Sequence, residues 1–312
     1  MRKWIGVLIV LMLIAALIYL LIPGPAGIQQ KLVIAANKTA FAREFLNEKT
    51  WEQWWPEKKT VSQHLRGSFK FNGNTYTLVE KRLSSVAIAI TNGKDSVLTE
   101  LIFIPDQNDS LQLSWHGTQK STSNFLRRIR NSSWIKNINS DIHFLLQKMG
   151  SFYSDEDKIY GLHIQKDNVI DSSLISTSAQ TRAYPNTELI YKMIDRLKDY
   201  VRKNAAKQTN APMLNITESN GTFFTRVAIP VDKKLPDSGD IHYRWMLGGG
   251  NILVTEVKGG PTQIQNSFNK MENYIQDHQR VAPAIPFQSL LTDRRLEPDT
   301  NRWLTKLYWP VM

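Results

Sequence analysis

The chain has 312 residues, a formal net charge of +11 and a sequence pI near 9.6. It contains no cysteine, which excludes disulfide bonds, thiolate metal sites, a cysteine nucleophile and lipid attachment through cysteine. The basic balance suits a nucleic acid or an anionic bilayer surface. The basic residues are spread along the chain without a long run, so we expect no nucleic-acid partner. We interpret the positive charge as attraction of the chain to anionic lipid head groups.

An uncharged run, residues 4–22, follows Arg2 and Lys3. A helix over this run has a length of about 28 Å, close to the ~30 Å hydrocarbon core of a bilayer. The pattern predicts a transmembrane anchor over residues 1–26. The two basic residues favour a cytoplasmic N-terminus, which predicts a single-pass protein of the cytoplasmic (inner) membrane with its domains outside, in the periplasm. A cleaved signal peptide is the alternative.

Residues 27–152 predict a strand, a short helix, several antiparallel strands and a long closing helix. Asn72 and Gly73 indicate a hairpin turn between two of the strands. The closing helix is indicated by apolar residues that share one helical face: Ile138, Ile142, Leu145 and Met149. This order predicts an α+β domain whose last helix covers the sheet.

The segment "KLVIAANKTAFAREFLNEKTWEQWWP", the strand meander and the closing helix resemble the START-like (SRPBCC, polyketide cyclase-like) superfamily of helix-grip folds. The resemblance implies an apolar cavity for a hydrophobic ligand between the long helix and the sheet. Trp51, Trp54 and Trp55 then either pack in the core or line the mouth of that cavity.

Residues 157–312 contain an internal repeat. "TRVAIPV" at 225–231 and "TKLYWPV" at 305–311 place threonine, proline and valine at a constant offset of 80 residues. Each half also begins with a strand and an amphipathic helix, for which Asn186 and Thr262 are the predicted N-caps. The repeat predicts a pseudo-two-fold α+β domain with a groove where the two halves meet.

The segments "GGGNILVTEVKGGPTQIQNSFNKMENYIQDH" and "TNRWLTKLYWPV" resemble the GyrI-like effector-binding domain, which is also the sensor half of AraC- and MerR-type regulators. The resemblance implies binding of small organic molecules, often aromatic cations, between the halves. It also implies a glutamate after the last-strand threonine. Here Lys306 stands at that position, Arg226 at its counterpart and Gln288 where another glutamate is common. These substitutions favour an anionic or neutral ligand.

Aromatic residues near the groove suit a planar ligand. The predicted ligand-binding residues are Trp245, Trp303, Tyr243, Tyr308, Lys306 and Gln288. The six histidines form no paired zinc motif, and no phosphate-binding loop or nucleophile elbow appears. We therefore predict no catalytic residue, no metal and no cofactor.

The leading hypothesis is a membrane-tethered protein that binds a small hydrophobic or aromatic ligand without catalysis, so the chain is more an effector-binding protein than an enzyme. A hydrolase in the GyrI-like domain is one alternative. A scaffold that binds a protein partner in the groove is the other. Because one fold hosts many activities, only the site decides between them.

Overall fold

The computed structural model describes Met12 and residues 27–57, 67–106, 109–118 and 125–312. The chain divides into two compact units, Met1–Asp155 and Glu156–Met312. Each unit contains one antiparallel sheet together with helices, so the predicted α+β class is confirmed.

The first unit has a six-stranded sheet in the order β1-β6-β5-β4-β3-β2. Its strands are β1 (Gly27–Ala35), β2 (Ser68–Phe71), β3 (Asn74–Lys81), β4 (Ser85–Thr91), β5 (Ser96–Pro105) and β6 (Ser110–Thr118). Helices α1 (Lys38–Phe45) and α2 (Glu48–Trp54) follow β1, and α3 (Phe125–Tyr153) follows β6. The sequence therefore predicted the order of strands and helices, but one short helix where the structure has two.

Helix α3 packs on β1. The four apolar residues that predicted its buried face are all at most 1% exposed: Ile138, Ile142, Leu145 and Met149. Gly150 lets the helix approach the strand, since a Cβ at this position would lie 2.9 Å from Cγ2 of Ile34. The side chain of Asn139 also donates to the carbonyl oxygen of Gly27 at 3.1 Å.

The three neighbouring tryptophans of the first unit are buried, as the core-packing interpretation requires. Trp51 is 0%, Trp54 5% and Trp55 3% exposed. The indole of Trp51 donates to the carbonyl oxygen of Phe45 at 2.8 Å, and that of Trp55 donates to the carbonyl oxygen of Lys70 at 2.7 Å. These bonds satisfy indole donors that have left water.

The second unit has an eight-stranded antiparallel sheet in the order β11-β8-β10-β9-β13-β14-β12-β7. Its elements in chain order are α4 (Glu156–Tyr160), β7 (Gln165–Asn168), β8 (Ser173–Thr181), α5 (Thr187–Lys203), β9 (Met213–Ser219), β10 (Thr222–Pro230), β11 (His242–Trp245), β12 (Asn251–Lys258), α6 (Pro261–Asp277), β13 (Phe287–Leu290) and β14 (Leu304–Pro310). The run β8-β10-β9 in one half mirrors β12-β14-β13 in the other. The predicted pseudo-two-fold arrangement follows from this order, with its axis between β9 and β13.

The two long helices of the second unit start differently. Asn186 caps α5 as predicted, because its side chain accepts from the backbone N–H of Leu189 at 2.9 Å. The prediction of Thr262 as the cap of α6 is wrong. Helix α6 begins at Pro261, and its N-cap is Gly260, which has no side chain to accept a hydrogen bond.

The predicted membrane location requires a correction. Among the described residues, no helix is both long and apolar enough to cross a bilayer. This finding contradicts the single-pass inner-membrane location and the membrane partner predicted from the sequence. The run 4–22 itself, apart from Met12, lies outside the described residues.

Candidate functional site

The sheet of the second unit has two distinct sides. Val227 and Ile229 of β10 pack with the buried face of α5, and we call this the helix side. Ala228, which lies between them, packs instead with Met213 and Phe287 in a separate apolar cluster. Because side chains alternate along a strand, this second cluster marks the opposite side of the sheet, which we call the open side.

A hollow of about 50 Å³ lies on the open side. One wall is the stacked pair of Phe287 and Tyr308, whose ring centroids are 5.1 Å apart with 14° between the ring planes. The two residues face each other directly in the pairing of β13 with β14. Met213, Met246, Ile252, Val169 and Ile170 also belong to the apolar lining.

Two loops that connect the halves of the sheet, the β7–β8 loop and the β11–β12 loop, meet beside this hollow. The backbone N–H of Val169 donates to the carbonyl oxygen of Gly250 at 2.8 Å, and that of Gly249 donates back to Val169 at 2.9 Å. Gly249 has a φ of +74°, which glycine adopts without strain. The N–H of Met246 donates to the carbonyl oxygen of Ser172 at 2.9 Å, which holds the Met246 side chain in the lining of the hollow.

The hollow carries negative charge at its edge. Asp167 and Asp171 both belong to its lining. Burial raises the pKa of Tyr308, and the charges of Asp167 and Asp171 raise it further. Asp171 accepts from the side chains of Thr209 and Asn210, each at 3.0 Å, so its position is fixed. Two carboxylates therefore lie at the edge of the hollow, near the hydroxyl of Tyr308.

The two basic residues of the repeat project from the open side, as Tyr308 and Ala228 on the same strands do, but neither belongs to the lining of the hollow. Lys306 is directly opposite Glu256 across the β12–β14 pairing, and opposite Ser289 across the β13–β14 pairing. Glu256, the charged residue that pairs with Lys306, therefore has a charge of the opposite sign. Arg226 donates from Nη1 to the side-chain oxygen of Asn215 at 3.2 Å.

Two predicted aromatic residues lie on edge strand β11. Tyr243 pairs with Ile175, a helix-side core residue, and its hydroxyl lies 3.2 Å from that of Ser173. Trp245 is 64% exposed at the end of the strand. Neither belongs to the lining of the hollow, whereas the next residue, Met246, does.

Two further predicted residues lie on the helix side, around an arginine that the sequence analysis did not single out. Gln288 is 5% exposed and accepts from Nη2 of Arg294 at 3.1 Å. Trp303 is 7% exposed, and the guanidinium carbon of Arg294 lies 4.6 Å from its ring centroid. Of the six predicted residues, the structure therefore brings Gln288 and Trp303 together through Arg294 and places only Tyr308 in the hollow.

A larger cavity, of about 720 Å³, runs along the outer surface of α5. Charged side chains dominate its lining, and several are already paired. Arg295 lies 2.7 Å from Asp195, and Arg196 forms an ion pair with Asp240. Paired charges at an exposed surface contribute little binding energy, so we regard the smaller apolar hollow as the stronger candidate.

The described residues offer little support for catalysis. No group of three histidine or acidic residues there is placed to hold a metal ion. Nδ1 of His163 lies 2.7 Å from Asp157, but its Nε2 contacts the amide of Gln165 at 2.7 Å instead of a hydroxyl nucleophile. The predicted absence of catalytic residues, metal and cofactor stays a prediction.

Comparison with known proteins gives structural likeness only. No family model and no curated protein matches the chain. A cryo-electron microscopy structure of an EcmrR–DNA complex is 15% identical, with 62% of this chain and 72% of that chain covered and a TM-score of 0.42. A hydrolase from Listeria innocua is 12% identical, with 52% and 98% covered and a TM-score of 0.36. SAV2435 bound to tetraphenylphosphonium is 15% identical, with 48% and 94% covered and a TM-score of 0.32.

Proposed function

We propose that the chain binds a small molecule with an apolar or aromatic body in the hollow on the open side of the second unit. The stacked pair of Phe287 and Tyr308 carries this proposal. Aromatic rings offer a large rigid contact surface, and the unbranched thioethers of Met213 and Met246 adapt to different ligand shapes.

The size of the hollow indicates how such a ligand sits. A volume of about 50 Å³ admits one substituent and not a whole drug-sized molecule. Ile170 lines the hollow and is 83% exposed, so the apolar surface continues outward from it. The body of the ligand then lies across the mouth, with one group inserted between the methionines.

The charge at the edge of the hollow selects among ligands. Asp167 and Asp171 favour a neutral or cationic ligand over an anionic one, because a cation near a carboxylate and an aromatic face is stabilised by both. This charge preference differs from the prediction of an anionic or neutral ligand, which was based on Lys306 and Arg226. Lys306 has Glu256 as its direct neighbour and does not line the hollow.

We assign residues 157–312 to a GyrI-like effector-binding domain and residues 27–152 to a START-like helix-grip domain. The mirrored strand order of the eight-stranded sheet supports the first assignment. The long helix α3 packed on a six-stranded antiparallel sheet supports the second. A protein of this organisation senses, sequesters or passes on a small hydrophobic or aromatic ligand. That it has no nucleic-acid partner stays a prediction.

Calorimetric titration of the full chain tests this function. The probes are tetraphenylphosphonium, an aromatic cation, and tetraphenylborate, an aromatic anion of the same shape that has no oxygen acceptor. We expect the cation to bind more tightly, and a Tyr308→Leu variant to weaken its binding by about tenfold through loss of the ring contact. Tyr243→Leu is the matched control, because Tyr243 lies on the helix side of the edge strand.

Two results would overturn the proposal. One is the absence of measurable binding for either probe. The other is equal weakening by Tyr308→Leu and Tyr243→Leu, which would place the bound probe away from the hollow.

A further inference from the structure

Arg294 is the only lysine or arginine that is buried in the part of the chain that the structure describes, with 8% of its surface exposed. It follows β13 and lies on the helix side, opposite to the hollow proposed above. The backbone N–H of Arg294 donates to the hydroxyl of Tyr191 on α5 at 2.7 Å, which ties it to that helix.

The guanidinium of Arg294 uses only part of its hydrogen-bonding capacity. Nη2 donates to the side-chain oxygen of Gln288 at 3.1 Å and to the hydroxyl of Thr305 at 3.2 Å. These two bonds account for both hydrogens of Nη2. Nε and Nη1 donate to none of the described residues, so three N–H groups of a largely buried cation remain for another acceptor.

Among the residues that the structure describes, the positive charge of Arg294 also has no partner of opposite sign. Its neighbour Asp293 pairs with Arg295 at 2.9 Å, and none of the described carboxylates pairs with Arg294. Both of its side-chain acceptors are neutral. Burial lowers the pKa of Arg294, and the ionisable groups that act on it are the phenols of Tyr191 and Tyr184. A buried charge is costly unless it is paired, so an incoming anion has a large electrostatic advantage here.

The surroundings of Arg294 are aromatic. The indole of Trp303 covers one side of the guanidinium, with 4.6 Å between the guanidinium carbon and the ring centroid. Burial raises the pKa of Tyr184 while the charge of Arg294 lowers it, which indicates that the phenol lies near the guanidinium. The ring centroids of Tyr184 and Phe223 are 5.7 Å apart in an edge-to-face arrangement. Tyr184 is also 49% exposed, so it extends from the neighbourhood of the buried guanidinium to the surface.

We propose that Arg294 forms a second ligand site, on the helix side of the sheet, for a small aromatic oxyanion. An oxygen of the ligand accepts from Nε or Nη1 of Arg294, and its ring packs beside Tyr184. Gln288 and Thr305 hold the guanidinium through Nη2 alone, which leaves the other nitrogens free for the ligand. A carboxylate and a phosphate share this chemistry, and the experiment below separates them.

The test is calorimetric titration of the full chain with benzoate, phenyl phosphate and the neutral analogue benzamide. We expect one of the two oxyanions to bind at least about tenfold more tightly than benzamide, because a charge-assisted hydrogen bond forms only with the anion. Which of the two binds identifies the carboxylate or the phosphate as the preferred group. Arg294→Met should abolish the preference over benzamide. Arg295→Met, the matched change at the exposed neighbouring arginine, should retain it.

A second measurement on the wild-type chain does not depend on the folding of the Arg294→Met variant. Titration with the preferred oxyanion should shift one arginine Nε–H signal in the nitrogen-15 spectrum, and an Arg294→Lys variant should lack that signal. Equal binding of the oxyanions and benzamide, or a preference that survives in Arg294→Met, would overturn the proposal. Because Tyr308→Leu alters only the open side, it should leave oxyanion binding unchanged. The two proposed ligand sites can therefore be tested independently of each other.

Discussion

Nε2 of His278 lies 2.8 Å from Oε1 of Glu156, and Nδ1 of the same ring lies 2.9 Å from the carbonyl oxygen of Tyr274. These contacts join the end of α6 to α4. Burial lowers the pKa of His278, but the hydrogen bonds to Glu156 and Tyr274 and the charge of Glu156 outweigh it, so the pKa is raised. The hydrogen bond from His278 is in turn the main cause that lowers the pKa of Glu156.

This pair predicts a pH-dependent stability. A histidine whose pKa is higher in the folded state stabilises the fold fully when the pH is below its pKa in the unfolded state, about 6.5. This contribution to stability is lost as the pH rises through the pKa of the folded state. We expect His278→Gln to cost on the order of 0.5–1 kcal/mol at pH 6, since Glu156 is half exposed, and less at pH 9. Urea unfolding of both proteins at the two pH values measures this. A pH-independent difference would contradict it.

The repeat predicts opposite effects of one substitution at two equivalent threonines. Thr225 and Thr305 are both 0% exposed, but Thr305 accepts from Arg294 whereas the hydroxyl of Thr225 has no partner among the described residues. We expect Thr225→Val to stabilise the fold by about 1 kcal/mol, because it removes an unsatisfied buried group. Thr305→Val should destabilise it by about 1–3 kcal/mol, because it leaves Arg294 with one acceptor fewer. Each variant is the control for the other in urea unfolding, and changes of the same sign would refute the argument.

The turn between β2 and β3 predicts a third effect. Asn72 has a φ of +48°, and its side chain donates to the buried carboxylate of Asp141 on α3 at 2.7 Å. Asn72→Ala should destabilise the fold by about 2–3 kcal/mol, through loss of a hydrogen bond to a charged group and through backbone strain. Asn72→Gly removes only the hydrogen bond and should cost less. Thermal unfolding of both variants separates the two contributions, and equal losses would show that strain plays no part.

The strands, the long helices and the repeat were predictable from the sequence because each leaves a periodic or local signal. The spacing of Ile138, Ile142, Leu145 and Met149 indicates a helix face, and the offset of 80 residues between Thr225 and Thr305 indicates two equivalent halves. The anchor prediction rested on an apolar run and its flanking basic residues, and the membrane location that it gave was wrong, given the helices that the structure describes.

The candidate site was harder to predict, because strand alternation gives two sides of a sheet without saying which carries the ligand. Tyr308 and Trp303 are close in sequence, yet they lie on opposite sides. Met246 reaches the hollow because its backbone N–H donates to the carbonyl oxygen of Ser172. No sequence pattern near Met246 indicates this long-range hydrogen bond. Arg294 lies in an ordinary charged loop sequence, and it is buried by long-range contacts with Gln288, Thr305 and Tyr191 that this sequence does not indicate.

The close approach of β5 and β6 predicts that Gly117 cannot become alanine without loss of stability. A Cβ at Gly117 would lie 2.7 Å from Cγ2 of Thr99 and 3.0 Å from the carbonyl oxygen of Leu98. Thr99 cannot rotate away freely, because its hydroxyl donates to the carbonyl oxygen of Ile88 and accepts from the indole of Trp115, each at 2.9 Å. We therefore expect Gly117→Ala to destabilise the first unit by about 1–3 kcal/mol.

A second substitution and a control test this mechanism. Thr99→Ser removes Cγ2 but keeps the hydroxyl, so it should recover part of the stability lost in Gly117→Ala, although alone it leaves a small void. Gly27→Ala is the matched control, since a Cβ there meets no atom within 4 Å, and it should change the stability by less than about 0.5 kcal/mol. Urea unfolding of the wild type, Gly117→Ala, Thr99→Ser and the variant that carries both changes forms a double-mutant cycle. Purely additive losses from Gly117→Ala and Thr99→Ser would show that the Cγ2 contact is not the cause.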